Sequence, residues 1–432
     1  MKRVLIITYY WPPTGGSGVQ RWVKFAKYLP SQGWQPVIYT PLNPEQLAVD
    51  KSLLGDIPPE AEIIKTRIFE PYELYRKLTG KKAGQAGEGV NPLNSQKKNW
   101  KQRLAVWLRG NLFVPDPRVG WVRPSVNYLA EYLKQNPVDV VVTTGPPQSM
   151  HLIGLGLKKA LGIKWIADFR DPWTEMFYFK HLALSKSSEK KHHEMEQSVL
   201  DAADAVISVT PLVRADFQAK TRTPVELITN GFDEDDFGNA GKSEACAESF
   251  RIVHTGLFAS DGNPLILWDV LADKCAEDPR FREELQIRLS GKTDPEIIEA
   301  LEARGLGSYV SNKGYLPHNK VVSEQRNASI LMLPLRQEPE YRKVLPGKIF
   351  EYLAARRPVL GIGQPDGAAA TVLKDTRSGE MLDWDDREAV RKFIDTQWEL
   401  HLSGEDRQID SDIEKYTRRA LTAQLVELLE RI

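Results

Sequence analysis

The sequence predicts an α/β protein built from two Rossmann-like domains. Its 432 residues are too many for one compact core, and strands alternate with helices in two separate series. A polar stretch without periodicity, residues 233–249, separates the two series and reads as a linker. We therefore expect an N-terminal domain over residues 1–235, a second domain over 249–405 and a C-terminal helical segment over 406–432.

The first series opens with an apolar run from Val4 to Ile7, which is typical of a parallel strand covered on both faces. After the loop WPPTGGSG, Trp22, Phe25 and Leu29 recur at helical spacing, and Gly33 ends the helix. The later strands of this series are predicted at PVIYT, DVVVTTG, KWIADF, AVISVT and VELITNG.

The second series alternates in the same way, with strands predicted at RIVHTGL, LQIRLSG, SILMLPL and PVLGIG. At the end of the chain, Leu421, Leu425 and Leu428 lie at helical spacing. The stretch 79–102 is rich in Gly, Lys, Asn and Gln and is predicted to be a mobile excursion from the first domain.

Composition indicates a soluble globular protein, with 41% hydrophobic and 27% charged residues. Lysine plus arginine and aspartate plus glutamate both number 58, so no general attraction to nucleic acid is expected. Cys246 and Cys275 match no metal-site spacing, which favours a reduced, cytoplasmic setting with both as packing residues. The apolar run near the N-terminus is too short for an export signal, and no stretch is long enough to span a bilayer.

A glycine-rich loop, TGGSGV, lies between the first strand and its helix. Gly16, Ser17 and Gly18 are predicted to bind the ligand, because glycine permits close backbone approach and a helix N-terminus favours anions. The spacing differs from Gly-x-Gly-x-x-Gly, so a dinucleotide fingerprint is a poor match. The alternative is a tight glycine turn without a ligand.

The segment PGKIFEYLAARRPVLGIG carries Lys348 in the first turn of a helix and Glu351 three residues later. A lysine at a helix N-terminus suits a diphosphate, and a carboxylate one turn on suits the paired hydroxyls of a ribose. The alternative is a surface ion pair between the two side chains.

Four segments resemble glycosyltransferase family 4 and occur in the order of that family: YYWPPTGGSGVQRWVKFAKYL, VELITNGFDEDDF, KGYLPHNKVVSEQRNASILMLPL and PGKIFEYLAARRPVLGIG. The resemblance implies a GT-B fold, with a cleft between two Rossmann-like domains and a C-terminal helix that crosses back to the first. It also implies that Glu351 holds the donor ribose, that Lys348 holds the diphosphate, and that residues 15–18 face the phosphate or the acceptor.

Two departures from the family pattern concern the donor. Lys343 stands where the family commonly has a glutamate that contacts the donor sugar, and Leu257 stands where Arg and Lys are frequent. We expect Lys292, Arg342 and Lys343 to supply the missing positive charge beside Lys348.

The segment WIADFRDPW places Asp168, Arg170 and Asp171 at the end of a strand. Arg170 aligns with a histidine that contacts the donor sugar in many members of the family, so these three residues are the predicted catalytic group. The alternative is a structural Asp–Arg pair. The segment TTGPPQS ends the preceding strand and offers Thr144, Gly145 and Ser149 to the same edge.

The segment FVPDPRVGW contains Arg118 and Trp121 and follows a basic, tryptophan-containing stretch that includes Trp107. These three residues are predicted to lie on the acceptor or membrane side, because basic helices with tryptophan can lie in a membrane interface. The alternative is ordinary packing of the helix on a core. His192 and His193 are adjacent and point to different helix faces, so a solvated face is expected there and no metal.

The resemblance implies transfer of a sugar from a nucleoside diphosphate donor, with UDP the commoner base, to a sugar or lipid-linked acceptor with retained anomeric configuration. It further implies a role in cell-surface polysaccharide or lipopolysaccharide synthesis, in the cytoplasm or at the inner face of the plasma membrane. No cofactor, metal or nucleic acid partner is expected. The rival readings are a nucleotide-sugar epimerase on the same fold and a non-catalytic nucleotide-sugar-binding protein.

Overall fold

A computed structural model describes residues 1–45, 49–69, 107–108, 110–176, 179, 182–238, 249–404 and 412–432. The chain forms two compact units. The first contains Met1–Thr229 together with Arg418–Ile432, and the second contains Asn230–Thr417.

A parallel sheet of seven strands forms the centre of the first unit, in the order β3-β2-β1-β4-β5-β6-β7. The strand order reverses between β1 and β4, which is where open α/β sheets bind ligands. The strands are β1 Lys2–Ile7, β2 Trp34–Pro41, β3 Glu62–Thr66, β4 Val140–Gly145, β5 Trp165–Phe169, β6 Ala205–Ser208 and β7 Val225–Leu227.

Helices cover both faces of this sheet. Leu5 and Ile7 point into one apolar core and Val4 and Ile6 into another, which explains why β1 is a continuous apolar run. The helices before the change of unit are α1 Ser17–Tyr28, α2 Val119–Gln135, α3 Ser149–Leu161, α4 Lys186–Ala202 and α5 Pro211–Lys220.

The second unit repeats the design with six parallel strands in the order β10-β9-β8-β11-β12-β13, and its strand order reverses between β8 and β11. The strands are β8 Phe250–Thr255, β9 Leu285–Ser290, β10 Val310–Asn312, β11 Ile330–Pro334, β12 Val359–Ile362 and β13 Gly379–Leu382. The helices are α6 Glu234–Gly238, α7 Leu265–Glu277, α8 Pro279–Glu284, α9 Pro295–Glu302, α10 His318–Arg326, α11 Lys348–Ala355, α12 Ala368–Asp375 and α13 Arg387–Leu402.

The boundary between the units lies at residue 229, earlier than the predicted linker. Phe232 bridges Thr417 in parallel register, and its N–H donates to Tyr416 O at 3.1 Å. Phe237 packs in the same buried cluster as Tyr416. The segment after residue 229 therefore belongs to the second unit because it pairs with the last residues of that unit.

The last helix, α14 Arg418–Arg431, belongs to the first unit. Its leucines Leu421, Leu425 and Leu428 are buried in the core that also holds Trp22 of α1.

The remaining expectations concern the excursion at residues 79–102, the two cysteines and membrane spans. The stretch 79–102 and Cys246 lie outside the described residues. Cys275 is buried, and burial raises the pKa of its thiol to about 11, as fits a packing residue. Among the described residues, no helix is both long and apolar enough to cross a bilayer.

Truncation of the Leu425 side chain tests whether α14 packs in the core of the first unit. Leu425 is fully buried, so Leu425→Ala should lower the stability of the first unit by about 2–5 kcal/mol. Hydrogen exchange should speed up at β1 and β2 amides and stay unchanged at β8 and β9. Glu427→Ala, on the exposed face of the same helix, is the control. Equal protection of β1 in Leu425→Ala and the wild type would contradict this assignment.

Candidate functional site

Asp168, at the end of β5, is fully buried and pairs with Arg21 of α1. Arg21 donates to both carboxylate oxygens, at 2.9 and 3.3 Å. Trp22 Nε1 and Thr144 Oγ1 donate to the same carboxylate at 2.7 and 2.8 Å. Burial raises the pKa of Asp168, but the charge of Arg21 and these donors outweigh it and hold the pKa below its usual range.

This arrangement makes Asp168 structural and corrects its predicted catalytic role. The carboxylate is held ionised, so it does not serve as an acid, and it is fully buried with its oxygens occupied by these donors, so it is not accessible as a nucleophile. The expected Asp–Arg pair exists, but its arginine is Arg21 and not Arg170. Arg21 also donates to Ile228 O at 2.9 Å and to Thr229 O at 2.7 Å. The pair thus ties α1 to the ends of β4, β5 and β7.

Arg170 is bound by backbone carbonyls at the same edge of the sheet. Its guanidinium donates to Gly18 O at 2.7 Å, to Gly145 O at 3.3 Å and to Pro146 O. A Cβ at residue 18 would lie 2.9 Å from Nη1 of Arg170, so the glycine makes room for the arginine rather than for a ligand. Arg170 therefore positions the glycine-rich loop. Burial raises the pKa of the neighbouring Asp171, while the charge of Arg170 opposes that rise.

The surroundings of Gly16 and Ser17 differ from those of Gly18. Gly16 is exposed with φ of 103°, a conformation that favours glycine, and a Cβ there would meet nothing within 4 Å. It is the N-cap of α1, which Ser17 opens, and no side chain caps this end of the helix.

Trp121 was predicted to lie on the acceptor or membrane side, and that prediction is wrong. Its side chain is buried, stacks on Tyr39 with ring centroids 4.9 Å apart, and donates to Thr66 Oγ1 at 3.1 Å. Arg118 is half-buried over the ring of Tyr9 at 4.7 Å. Trp107 is exposed, while most of the basic stretch before it lies outside the described residues.

His192 was predicted to lie on a solvated helix face, and it is buried instead. Its Nδ1 accepts a hydrogen bond from Trp173 Nε1 at 3.0 Å. The helical pattern placed α4 correctly but did not show that Trp173, in the loop after β5, would cover this residue. His193 is exposed, as expected.

In the second unit, Lys348 at the start of α11 reaches the end of β8. Its Nζ lies 3.1 Å from His254 Nε2 and donates to Leu257 O at 3.2 Å. His254 Nδ1 lies 3.1 Å from Met332 O, so the ring bridges β8 and β11 at the reversal of strand order. Burial lowers the pKa of Lys348 to about 8, while the charge of Glu351 opposes the shift.

Glu351 is half-buried one turn along α11, and a neighbouring amide holds it. Gln325 Nε2 donates to Glu351 Oε2 at 3.1 Å and to Thr255 Oγ1 at 3.0 Å. Sequence reasoning missed both His254 and Gln325. A histidine inside an otherwise apolar strand was the signal for the first, but nothing in α10 marked the second.

The turns after β8 and β9 pack directly against each other. Gly291 has φ of 122°, and a Cβ there would lie 2.2 Å from Gly256 O. Phe258 N donates to Lys292 O at 2.9 Å, which sets the exposed Lys292 beside the turn that carries Leu257. Glycine at residue 291 is therefore required for this close approach.

The other predicted cations lie on a short 3₁₀ helix, Pro339–Lys343. Arg342 pairs with Asp366 at 2.9 Å on the surface, and Lys343 is half-buried. Among the described residues, no group of three or more His, Cys, Asp or Glu is placed to hold a metal ion.

Residues 87–236 match the family model described as Glycosyltransferase Family 4. This part of the chain is similar to family 4 glycosyltransferases. The match lies largely in the first unit and confirms the family that the sequence motifs predict. No curated protein matches the chain significantly by sequence.

Solved structures match both units. Sucrose-phosphate synthase from Thermosynechococcus elongatus has a TM-score of 0.62 at 15% identity, covering 100% of this chain and 99% of its own. WaaG, a glycosyltransferase involved in lipopolysaccharide biosynthesis, has a TM-score of 0.56 at 13% identity, covering 99% and 100%. A putative UDP-N-acetylglucosamine 2-epimerase from Listeria monocytogenes has 0.56 at 11% identity, covering 100% and 96%. These likenesses confirm the predicted GT-B fold of two parallel-sheet α/β domains.

Substitution of Asp168 tests its structural role. Asp168→Asn keeps the shape but leaves the Arg21 guanidinium buried without its counter-charge, so the free energy of unfolding should fall by about 3–5 kcal/mol. Urea unfolding followed by circular dichroism measures the loss. Glu131→Gln, which breaks the exposed pair with Lys134, should cost at most about 1 kcal/mol. A loss in Asp168→Asn no larger than in this control would refute the structural assignment.

Proposed function

We propose that this protein is a glycosyltransferase whose second unit binds a nucleoside diphosphate sugar. The observation that carries the proposal is the placement of Lys348 and Glu351 on the first turn of α11, beside the end of β8. This is the edge of an open α/β sheet at which ligands bind.

Lys348 is the group best suited to the diphosphate. Its Nζ is held by His254 and by Leu257 O, so little side-chain freedom is lost when an anion binds. The start of α11 has no side-chain cap, and the helix dipole favours an anion at this end. Exposed Lys292 is a second cation near the same turn, which supports the compensation expected for Leu257.

Glu351 is the group best suited to the ribose. One of its oxygens accepts from Gln325, and a carboxylate has further lone pairs to accept from two adjacent hydroxyls. Gln325 thus fixes the orientation of the carboxylate before the donor arrives. This support counts in favour of the role that the family resemblance assigns to Glu351.

In transfer, the leaving nucleoside diphosphate carries the developing negative charge, and Lys348 with the dipole of α11 would stabilise it. Asp168 is bound to Arg21, so it is no candidate for a covalent nucleophile. The family resemblance implies retention of anomeric configuration, and we propose that the leaving phosphate assists the incoming hydroxyl. UDP as the base and a role in cell-surface saccharide synthesis follow from the family resemblance, and the likeness to WaaG, which is involved in lipopolysaccharide biosynthesis, is in keeping with the second.

A non-catalytic, nucleotide-sugar-binding protein is the second candidate. Leu257 is 59% exposed where a cation is frequent in the family, which favours this reading. The intact contacts of Lys348 and Glu351 support donor binding under either reading. Only an assay of sugar transfer distinguishes the glycosyltransferase from the non-catalytic binding protein.

Lys348 makes nucleotide affinity depend on pH. Because the pKa of Lys348 in the free protein is about 8, its positive charge is lost as pH rises through that value. The affinity for UDP should vary little up to pH 7.5 and fall roughly 25-fold by pH 9.5 if only the charged lysine binds, as measured by isothermal titration calorimetry. Lys348→Met should bind UDP more weakly and show a flat profile. A flat wild-type profile over this range would contradict the assignment of Lys348 to the diphosphate.

A thermal-shift panel of UDP, GDP, ADP and their common sugars tests the donor site. A ligand at 100 times its Kd stabilises the native state by about 2.7 kcal/mol, so one base should raise the Tm by several degrees. Glu351→Ala should abolish the shift, whereas Glu399→Ala, an exposed carboxylate on α13, should leave it intact. The assignment of the donor site is wrong if no nucleotide raises the Tm of the wild type, or if the Tm of Glu351→Ala responds to nucleotide like that of Glu399→Ala.

A further inference from the structure

The amine of Lys348 differs from those of other inward-facing lysines because no carboxylate is paired with it. Lys24 pairs with Asp56 at 2.9 Å, and Lys274 pairs with Asp395. Among the described residues, no carboxylate oxygen forms an ion pair with Lys348, and the atoms that its Nζ contacts are a histidine nitrogen and a backbone carbonyl oxygen. No counter-charge in direct contact therefore holds this amine in its protonated form.

His254 presents a lone pair to this amine. Its Nδ1 lies 3.1 Å from Met332 O, and a carbonyl oxygen only accepts, so Nδ1 carries the ring proton. Nε2 is then the acceptor that Lys348 Nζ meets at 3.1 Å. Burial and the charge of Lys348 lower the pKa of His254 well below its usual value, so the ring is neutral at pH 7. Nε2 and Leu257 O, 3.3 Å apart, are thus two neighbouring acceptors on one side of Nζ.

These two acceptors orient the amine as a nucleophile. A neutral amine has two N–H bonds and one lone pair in tetrahedral directions. When Nζ is neutral, His254 Nε2 and Leu257 O hold its two hydrogens, so the lone pair points away from both. The contact with Leu257 O is exposed and Lys348 is only partly buried, so a small reagent can reach the nitrogen.

The neutral form of the amine is well populated near neutral pH. Burial lowers the pKa of Lys348 to about 8, and the charge of Glu351 on the same helix opposes the shift. The other titratable group in contact, His254 on β8, is neutral and adds no charge. At pH 8 about half of the Lys348 amine is therefore free to attack an electrophile.

The position of Lys348 favours a reagent that carries an anion. Lys348 is the first residue of α11, whose start has no side-chain cap, and the helix dipole favours negative charge there. Exposed Lys292 adds positive charge beside the neighbouring turn, where Phe258 N donates to Lys292 O at 2.9 Å. An acyl phosphate combines a phosphate group for this end of the helix with a carbonyl carbon for the amine.

We propose that Lys348 is a site of acylation by acyl phosphates, and that the acylated protein no longer binds nucleotide. Nζ attacks the carbonyl carbon, the C–N bond forms and the C–O bond to the phosphate breaks. The phosphate leaves with the electron pair of that bond and takes up the proton that Nζ loses, so an uncharged amide remains. Only the loss of nucleotide binding rests on the proposed function, since acylation itself needs no donor.

Treatment of the full chain with acetyl phosphate from pH 7 to pH 10, followed by peptide mass spectrometry, tests the site. At pH 8, Lys348 should react about tenfold faster than exposed Lys320 on α10. About half of its amine is neutral, against less than about 1% for an ordinary lysine, and its lower basicity offsets part of this advantage. Above about pH 9 the rate at Lys348 should level off, whereas the rate at an ordinary lysine rises further. Equal rates at Lys348 and Lys320, or a rate at Lys348 that rises steeply up to pH 10, would overturn the inference.

Substitution of His254 tests the orientation of the amine. At pH 9.5, where the Lys348 amine is largely neutral, His254→Leu should slow its acetylation about threefold relative to Lys320 in the same sample. His254→Gln, which keeps an acceptor, should recover part of the rate. An unchanged relative rate in His254→Leu would contradict the orienting role. The wild-type pH profile decides on the acylation site whether or not these variants fold.

UDP on the same samples separates this inference from the proposed function. Excess UDP should slow acetylation of Lys348 but not of Lys320, and the thermal shift with UDP should disappear in step with acetylation of Lys348. A full shift after complete acetylation of Lys348 would contradict the second half of the inference. If UDP stabilises the wild type and Lys348 reacts no faster than Lys320, only the acylation site fails. If Lys348 reacts fast and no nucleotide binds, the acylation site stands and the donor proposal fails.

Discussion

The buried ion pair between Arg21 and Asp168 is the interaction on which the first unit depends. It joins the helix after β1 to the ends of β4, β5 and β7, four segments far apart in the chain. Once these ends are fixed, the carbonyls of the neighbouring loops converge on Arg170, which in turn holds Gly18.

In the second unit, the ends of the strands are linked by fewer charged side chains than in the first. His254 bridges β8 and β11 and lies against Lys348, while Gln325 links the end of β8 to Glu351. Both side chains of the proposed donor site are thus oriented by neutral neighbours. Lys348 is held in place for an anion by a histidine and a backbone carbonyl, while the charge of Glu351 acts on it from the same helix.

Apolar runs and helical spacing predicted the alternating elements, because each strand is covered on both faces and each helix buries one stripe. The placement of Lys348 and Glu351 on one helical turn was predictable from their spacing. Asp168 was misassigned because its partner, Arg21, is 147 residues away in the chain. Trp121 and His192 were misassigned because their burial depends on Tyr39 and Trp173, in other elements. Local pattern does not encode such distant contacts.

The most direct test of glycosyl transfer is the release of nucleoside diphosphate from the donor that the binding panel identifies. The assay compares the donor alone with the donor plus a lipid-linked saccharide extract as acceptor, for the wild type and Glu351→Ala. We predict release that requires both the acceptor and Glu351. Conversion of the donor sugar without acceptor would indicate an epimerase. Tight donor binding without release under any condition would contradict catalysis and leave a binding protein.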